Sequence, residues 1–148
     1  MMSSWRWPSG SALLLLLLGG CATGYHSDQG LIRGYTGGYW DQPGPGELLK
    51  VGFGGNGYID RDTTHAYLMY RCAELALQRH KPYFRMYESL PDAIRDRPTM
   101  DLTVGRVAGA MGDWVFVLFD QNYSAGDLSA TEVEKRYASY IHPQGARS

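Results

Sequence analysis

Cysteine is scarce: the 148 residues hold two, Cys21 and Cys72. A disulfide-stapled scaffold is therefore excluded, and a packed core has to hold the fold. Neither H-E-x-x-H nor paired C-x-x-C occurs, so the common zinc spacings are missing. G-x-S-x-G is missing too, and Ser124 lacks the flanking glycine of a nucleophile elbow. Charge of one sign is not in excess, with 14 Lys+Arg against 15 Asp+Glu. That balance argues against gripping nucleic acid by phosphate neutralisation. No apolar run reaches the roughly 20 residues that a spanning helix takes.

One apolar run is present, at the N-terminus. Arg6 supplies a small positive region, Ala12 to Leu18 is unbroken and leucine-rich, and Gly19 and Gly20 are small. These are the parts of an export signal over residues 1–20. A leucine homopolymer has no polar face, which sets it apart from a core helix. Cys21 follows directly, and Leu18-Gly19-Gly20-Cys21 resembles the lipobox of bacterial lipoproteins. The resemblance implies S-diacylglycerol and N-acyl chains on Cys21 after cleavage. Several chains together give a stable membrane anchor where one does not. Ala22, in place of an aspartate, leans toward outer-membrane sorting. With Cys21 lipidated, Cys72 has no partner for an internal disulfide.

The mature chain divides into two parts. Residues 21–46 are rich in glycine and tyrosine and end on Pro43-Gly44-Pro45-Gly46. They are expected to form a lipidated tether and loop, with Tyr25, Tyr35, Tyr39 and Trp40 adhering to the folded body. Residues 47–148 are expected to form one globular domain. Leu49, Val51 and Phe53 alternate as a half-buried strand. Asp62 is a candidate N-cap, and Ala66, Tyr70, Ala73 and Leu77 mark one helical face that continues to His80 and stops at Pro82. Tyr83 to Tyr87 reads as a second strand, Ser89 to Pro98 as a polar loop, and Met100, Leu102 and Val104 as a third strand. Gly109 to Asp113 reads as a turn, and Trp114 to Phe119 as a central strand buried on both faces. Ser129 and Glu132 form a capping box before a helix with Val133, Tyr137 and Ile141 on one face. The order βαβββα predicts an α+β fold: a small, mostly antiparallel sheet with helices on one face.

Motifs for chemistry are sparse. Gly52 to Gly57 fits G-x-G-x-x-G after a strand and before a helix, but the helix starts several residues too late to cradle a pyrophosphate. Glycines serving positive-φ turns are the simpler reading. His26, His65, His80 and His142 are scattered. His65 and His80 lie about 22 Å apart along one helix and cannot share an ion. Surface positions are expected for all four. Cys72 falls mid-helix beside the apolar stripe, where a buried, inert thiol is expected. Arg71 and Glu74 are spaced as a solvated helix pair. Asp60, Asp62, Asp92, Asp96, Asp101, Asp113, Asp120 and Asp127 mostly flank turns, and their spacing selects no acid–base couple. No catalytic residue, cofactor or metal is expected.

Several stretches together resemble a family of small, uncharacterised proteobacterial lipoproteins of outer-membrane type. They are the lipobox, Gly34 to Trp40, Val51 to Tyr58, and Tyr70 to Leu75 running into Tyr83-Phe84. The resemblance covers residues 18 to 87. It implies an envelope location and transfers no catalytic residue. The expected function is that of a lipid-anchored, periplasm-facing binding or structural domain, whose partners would be an envelope protein or peptidoglycan, with no nucleic acid. Two alternatives are an envelope enzyme acting on peptidoglycan or lipid, and a small-ligand carrier using the Gly52–Tyr58 turn.

Overall fold

Leu49, Val51 and Phe53 alternate with Lys50 and Gly52, which gives a strand one dry face and one open face. In the computed structural model, which describes residues 24–27, 37–107 and 110–143, this segment is β2 (Leu49–Gly54). It pairs antiparallel with β1 (Gly38–Pro43) on one side and with β5 (Ala110–Asp120) on the other. β3 (Tyr83–Tyr87) lies on the far side of β5, and β6 (Leu128–Ser129) closes that edge. The short β4 (Gly105–Val107) forms a hairpin-like pair with the start of β5. The sheet order is β1-β2-β5-β3-β6, with every strand pair antiparallel. The fold is α+β, as the order of elements implies.

The dry face carries the core. Val51, Phe53, Phe84, Met86, Val115 and Val117 are fully buried from the sheet side. α1 (Arg61–Gln78) covers them with Leu68, Cys72, Ala73 and Ala76. α3 (Ala130–Ile141) packs along α1 and adds Val133, Tyr137 and Ile141, the face its periodicity selects. Ser129 is its N-cap and accepts a hydrogen bond from the Glu132 amide, one half of the expected capping box.

Five expectations are corrected. First, the 21–46 tether is too long, because Gly38–Pro43 is an edge strand of the sheet. Tyr39 and Trp40 alternate between the two faces, and the flanking glycines and prolines hide that pattern in the sequence. The folded body therefore takes in residues below 47. Second, α1 is capped by Asp60, whose Oδ1 accepts from the Thr63 amide at 2.7 Å, and not by Asp62. The helix ends at Gln78, before His80. His80 takes the left-handed conformation (φ 56°), and the Lys81 amide returns to the Ala76 carbonyl. That is a Schellman turn with histidine where glycine is usual. Third, the Ser89–Pro98 loop contains a short helix, α2 (Leu90–Ile94), capped by Ser89. Fourth, Leu102 and Val104 are buried without being a strand, so their alternation reports burial alone. Fifth, Ala110 to Asp113 begins β5 and is not a turn. Trp114 is also more open than a doubly buried strand implies, at 39% exposure.

Candidate functional site

The even-numbered positions of β2 and β5 point away from the helices. Lys50 and Gly52 pair with Phe116 and Trp114, and Trp40 of β1 lies opposite Gly52. The result is an aromatic surface on the sheet's open face. A Cβ on Gly52 would sit 2.1 Å from the Trp40 ring. Gly52 is therefore the seat of an indole. The first glycine of the G-x-G-x-x-G run serves close packing, and none of Gly52, Gly54 and Gly57 has a positive φ. Lys50 Nζ lies 3.9 Å from the centre of the Trp114 ring and 5.8 Å from that of Trp40, within cation–π range of both. Trp114 meets Phe116 edge to face at 5.3 Å.

The same face continues into an apolar cavity of about 430 Å³ between β5, β3 and α2, with Leu48, Tyr87, Leu90, Ala93, Ile94 and Leu118 on its walls. Ile94, at its lip, is 85% exposed. Beside the cavity an ionic network runs from the buried Arg85–Asp127 pair out to the exposed Asp96. Arg85 donates from Nε to Asp127 Oδ1 and from Nη1 to Asp96 Oδ1, both at 2.7 Å. The Tyr87 hydroxyl donates to the same Asp96 oxygen. The Asp127 hydrogen bond, more than any other influence, holds the Arg85 guanidinium above its ordinary range. The Ser124 amide donates to the second Asp127 oxygen, which is the role the structure gives the Ser124 segment.

A polar cleft lies at the start of α1. His65 Nε2 and Asp101 Oδ1 are 2.5 Å apart, and the imidazole rests edge-on to Tyr137. His65, expected as a surface histidine, is partly buried and paired. The hydrogen bond from His65 holds the Asp101 carboxyl below its usual range. Arg61, Asp62 and Thr103 complete a cavity of about 350 Å³. The wall offers Thr103 as its one hydroxyl and no thiol, so a His–Asp couple is present without a strong nucleophile beside it. Among the described residues, no three His, Cys, Asp or Glu side chains converge to hold a metal.

At the β1 edge, the N-terminal segment is clasped to the body. The Tyr25 hydroxyl donates to Glu74 Oε2 at 2.6 Å, and its ring meets Tyr39, Tyr67 and Tyr70 at 4.8 to 5.6 Å. The Tyr39 amide donates to the His26 carbonyl. Arg71 donates to Glu74 at 2.6 Å and to Asp41 at 2.7 Å, with its guanidinium 4.1 Å above the Tyr39 ring. The expected solvated Arg71–Glu74 pair is thus half-buried and shared with β1, because that strand lies against α1. Burial, reinforced by Glu74, pushes the Tyr25 hydroxyl far up. Residues 1–20, read as an export signal, Cys21 and Tyr35 lie outside the described residues.

Cys72 is fully buried, and burial pushes its thiol up to about 12. A thiol reagent at pH 8 is expected to leave Cys72 untouched in the native Cys21→Ser protein and to titrate one thiol in denaturant. Fast labelling of native protein would contradict the burial. No family model matches this chain, and no curated protein or solved structure matches it either.

Proposed function

We propose that this chain is a lipid-anchored envelope lipoprotein whose body faces the periplasm and binds a protein or wall component through the open face of its sheet. The observation that carries the anchor is Leu18-Gly19-Gly20-Cys21 behind an unbroken leucine run. Ala22 supports outer-membrane sorting. The binding role is supported by the exposed Trp114 on the open face and by the exposed Ile94 at the lip of the apolar cavity farther along it. A non-enzymatic reading suits a face built of rings, a lysine and aliphatic side chains. The experiment is mass analysis of the N-terminal peptide together with in-cell crosslinking, run beside Cys21→Ser. Acyl mass on residue 21 and a discrete captured partner, both lost in Cys21→Ser, are the expected outcome. An unmodified Cys21 would overturn the reading.

The His65–Asp101 cleft favours a second reading, an enzyme acting on peptidoglycan or lipid, with His65 as general base toward water. Turnover of a wall or lipid substrate that His65→Gln abolishes would favour it over binding.

A further inference from the structure

The clasp at Tyr25 stands very close in sequence to the anchor position. Fully extended, the chain from Cys21 to Tyr25 spans at most about 14 Å. Without the clasp, the next described attachment is β1 at Gly38. A flexible chain from Cys21 to Gly38 would have a typical reach of about 23 Å and a far longer maximum. The clasp therefore sets how far the body can stand from the lipid.

It also sets which edge is near. Tyr25 packs on Tyr39 of β1 and on Tyr67, Tyr70 and Glu74 of α1, so the chain leaves the body at the β1 edge. From β1 to β6 the sheet crosses four strand spacings, about 19 Å at the usual separation. That is wider than the roughly 14 Å that the clasped chain can span between Cys21 and Tyr25. Three independent contacts hold the clasp: the Tyr25–Glu74 hydrogen bond, the ring cluster, and the backbone bond from Tyr39 to His26. Arg71 ties the same Glu74 to Asp41 of β1, so the clasp, the helix and the edge strand move as one piece.

We infer that the Tyr25 clasp holds the body edge-on against the lipid leaflet that carries its anchor, with β1 nearest the headgroups and β6 farthest. The inference rests on the lipidation of Cys21 proposed above. It leaves the open sheet face, with Trp114 and the α2 cavity, upright and accessible from the side. A partner would meet that face while standing on the same membrane.

The test uses the full lipidated protein in vesicles of phosphatidylethanolamine and phosphatidylglycerol with an acceptor dye on the headgroups. In a Cys72→Ala background, a donor dye is placed at Ser27→Cys, beside the clasp, or at Tyr123→Cys, which packs on Tyr83 near the β6 edge. Energy transfer from position 27 is expected to exceed that from position 123 by at least about twofold, given the reach and the sheet width. Tyr25→Ala is expected to bring the two signals together. A Gly-Ser insertion after Ala22, which leaves every contact of the body intact, is expected to lower transfer at position 27. Equal transfer from the two positions in acylated, unmutated protein would overturn the edge-on arrangement and leave the anchor standing. Absence of acyl mass on residue 21 would remove the anchor and the arrangement with it.

Discussion

Arg85→Met is expected to lower the unfolding free energy by about 3–5 kcal/mol, the range for removing one partner of a buried ion pair. The size follows from what is left behind. The Asp127 side chain has no exposure at all, so its carboxylate would lose a charged donor and could not turn to water. Its remaining hydrogen bond, from the Ser124 amide, cannot neutralise it. Arg71→Met is expected to cost less, because Asp41 and Glu74 keep 24% and 27% of their side-chain surface in solvent. Urea unfolding of both variants measures the contrast, and equal losses would contradict it. Acid titration adds a second reading of the same network. Asp96 is held below the usual carboxylate range by the Tyr87 hydroxyl first and by Arg85 next. A depressed carboxyl contributes stability that is present above the ordinary carboxylate pKa and lost as pH falls through the folded value. Arg85→Met removes part of that depression, so the variant's stability should fall less steeply on the acid side.

Gly52→Val is expected to displace Trp40 from the sheet and to cost about 1–3 kcal/mol, the usual range for forced overpacking. No rotamer of the new side chain avoids the ring, since the first carbon already lies 2.1 Å from it. Moving the indole also removes one of the two rings over Lys50. Under the proposed cleavage before Cys21, Trp5 and Trp7 are removed, and the tryptophan fluorescence of the remaining chain comes from Trp40 and Trp114. The emission should shift to the red as Trp40 enters water. Gly57→Ala, in the same motif, meets nothing within 4 Å and serves as the tolerated control. Capture of the partner proposed for this face should drop with Gly52→Val and persist with Gly57→Ala. An unchanged spectrum in Gly52→Val would mean that Trp40 is not seated on Gly52.

Elements whose burial repeats locally were legible in the sequence. Leu49, Val51 and Phe53 read as β2, Trp114 to Phe119 as the middle of β5, and Ser129 with Glu132 as the start of α3. Each depends on a local signal alone: alternation for β2, an unbroken apolar run for β5, and a cap with a helical period for α3. Pairings across the chain were not legible. Arg85 meets Asp127 across 42 positions, His65 meets Asp101 across 36, and Tyr25 meets Glu74 across 49. No local pattern carries such distances. β1 escaped for a related reason: Tyr39 and Trp40 become a strand only because β2 is there to pair with. Leu102 and Val104 misled in the opposite direction, since a buried irregular segment can alternate as a strand does. The open face had one legible signal, the glycine at position 52, but its meaning depended on a ring twelve residues earlier in the chain.

The edge position of β1 carries a risk that its sequence answers. An unpaired strand edge offers free amides and carbonyls to any neighbour, and crowding on a surface brings neighbours together. Here Ser27 forms a short parallel bridge to Tyr39, and the Tyr39 amide is already spent on His26. Pro43, at the other end of the strand, has no amide to give. Copies standing side by side thus find the start of this edge occupied and its end without a donor, which shortens the stretch open to lateral sheet growth.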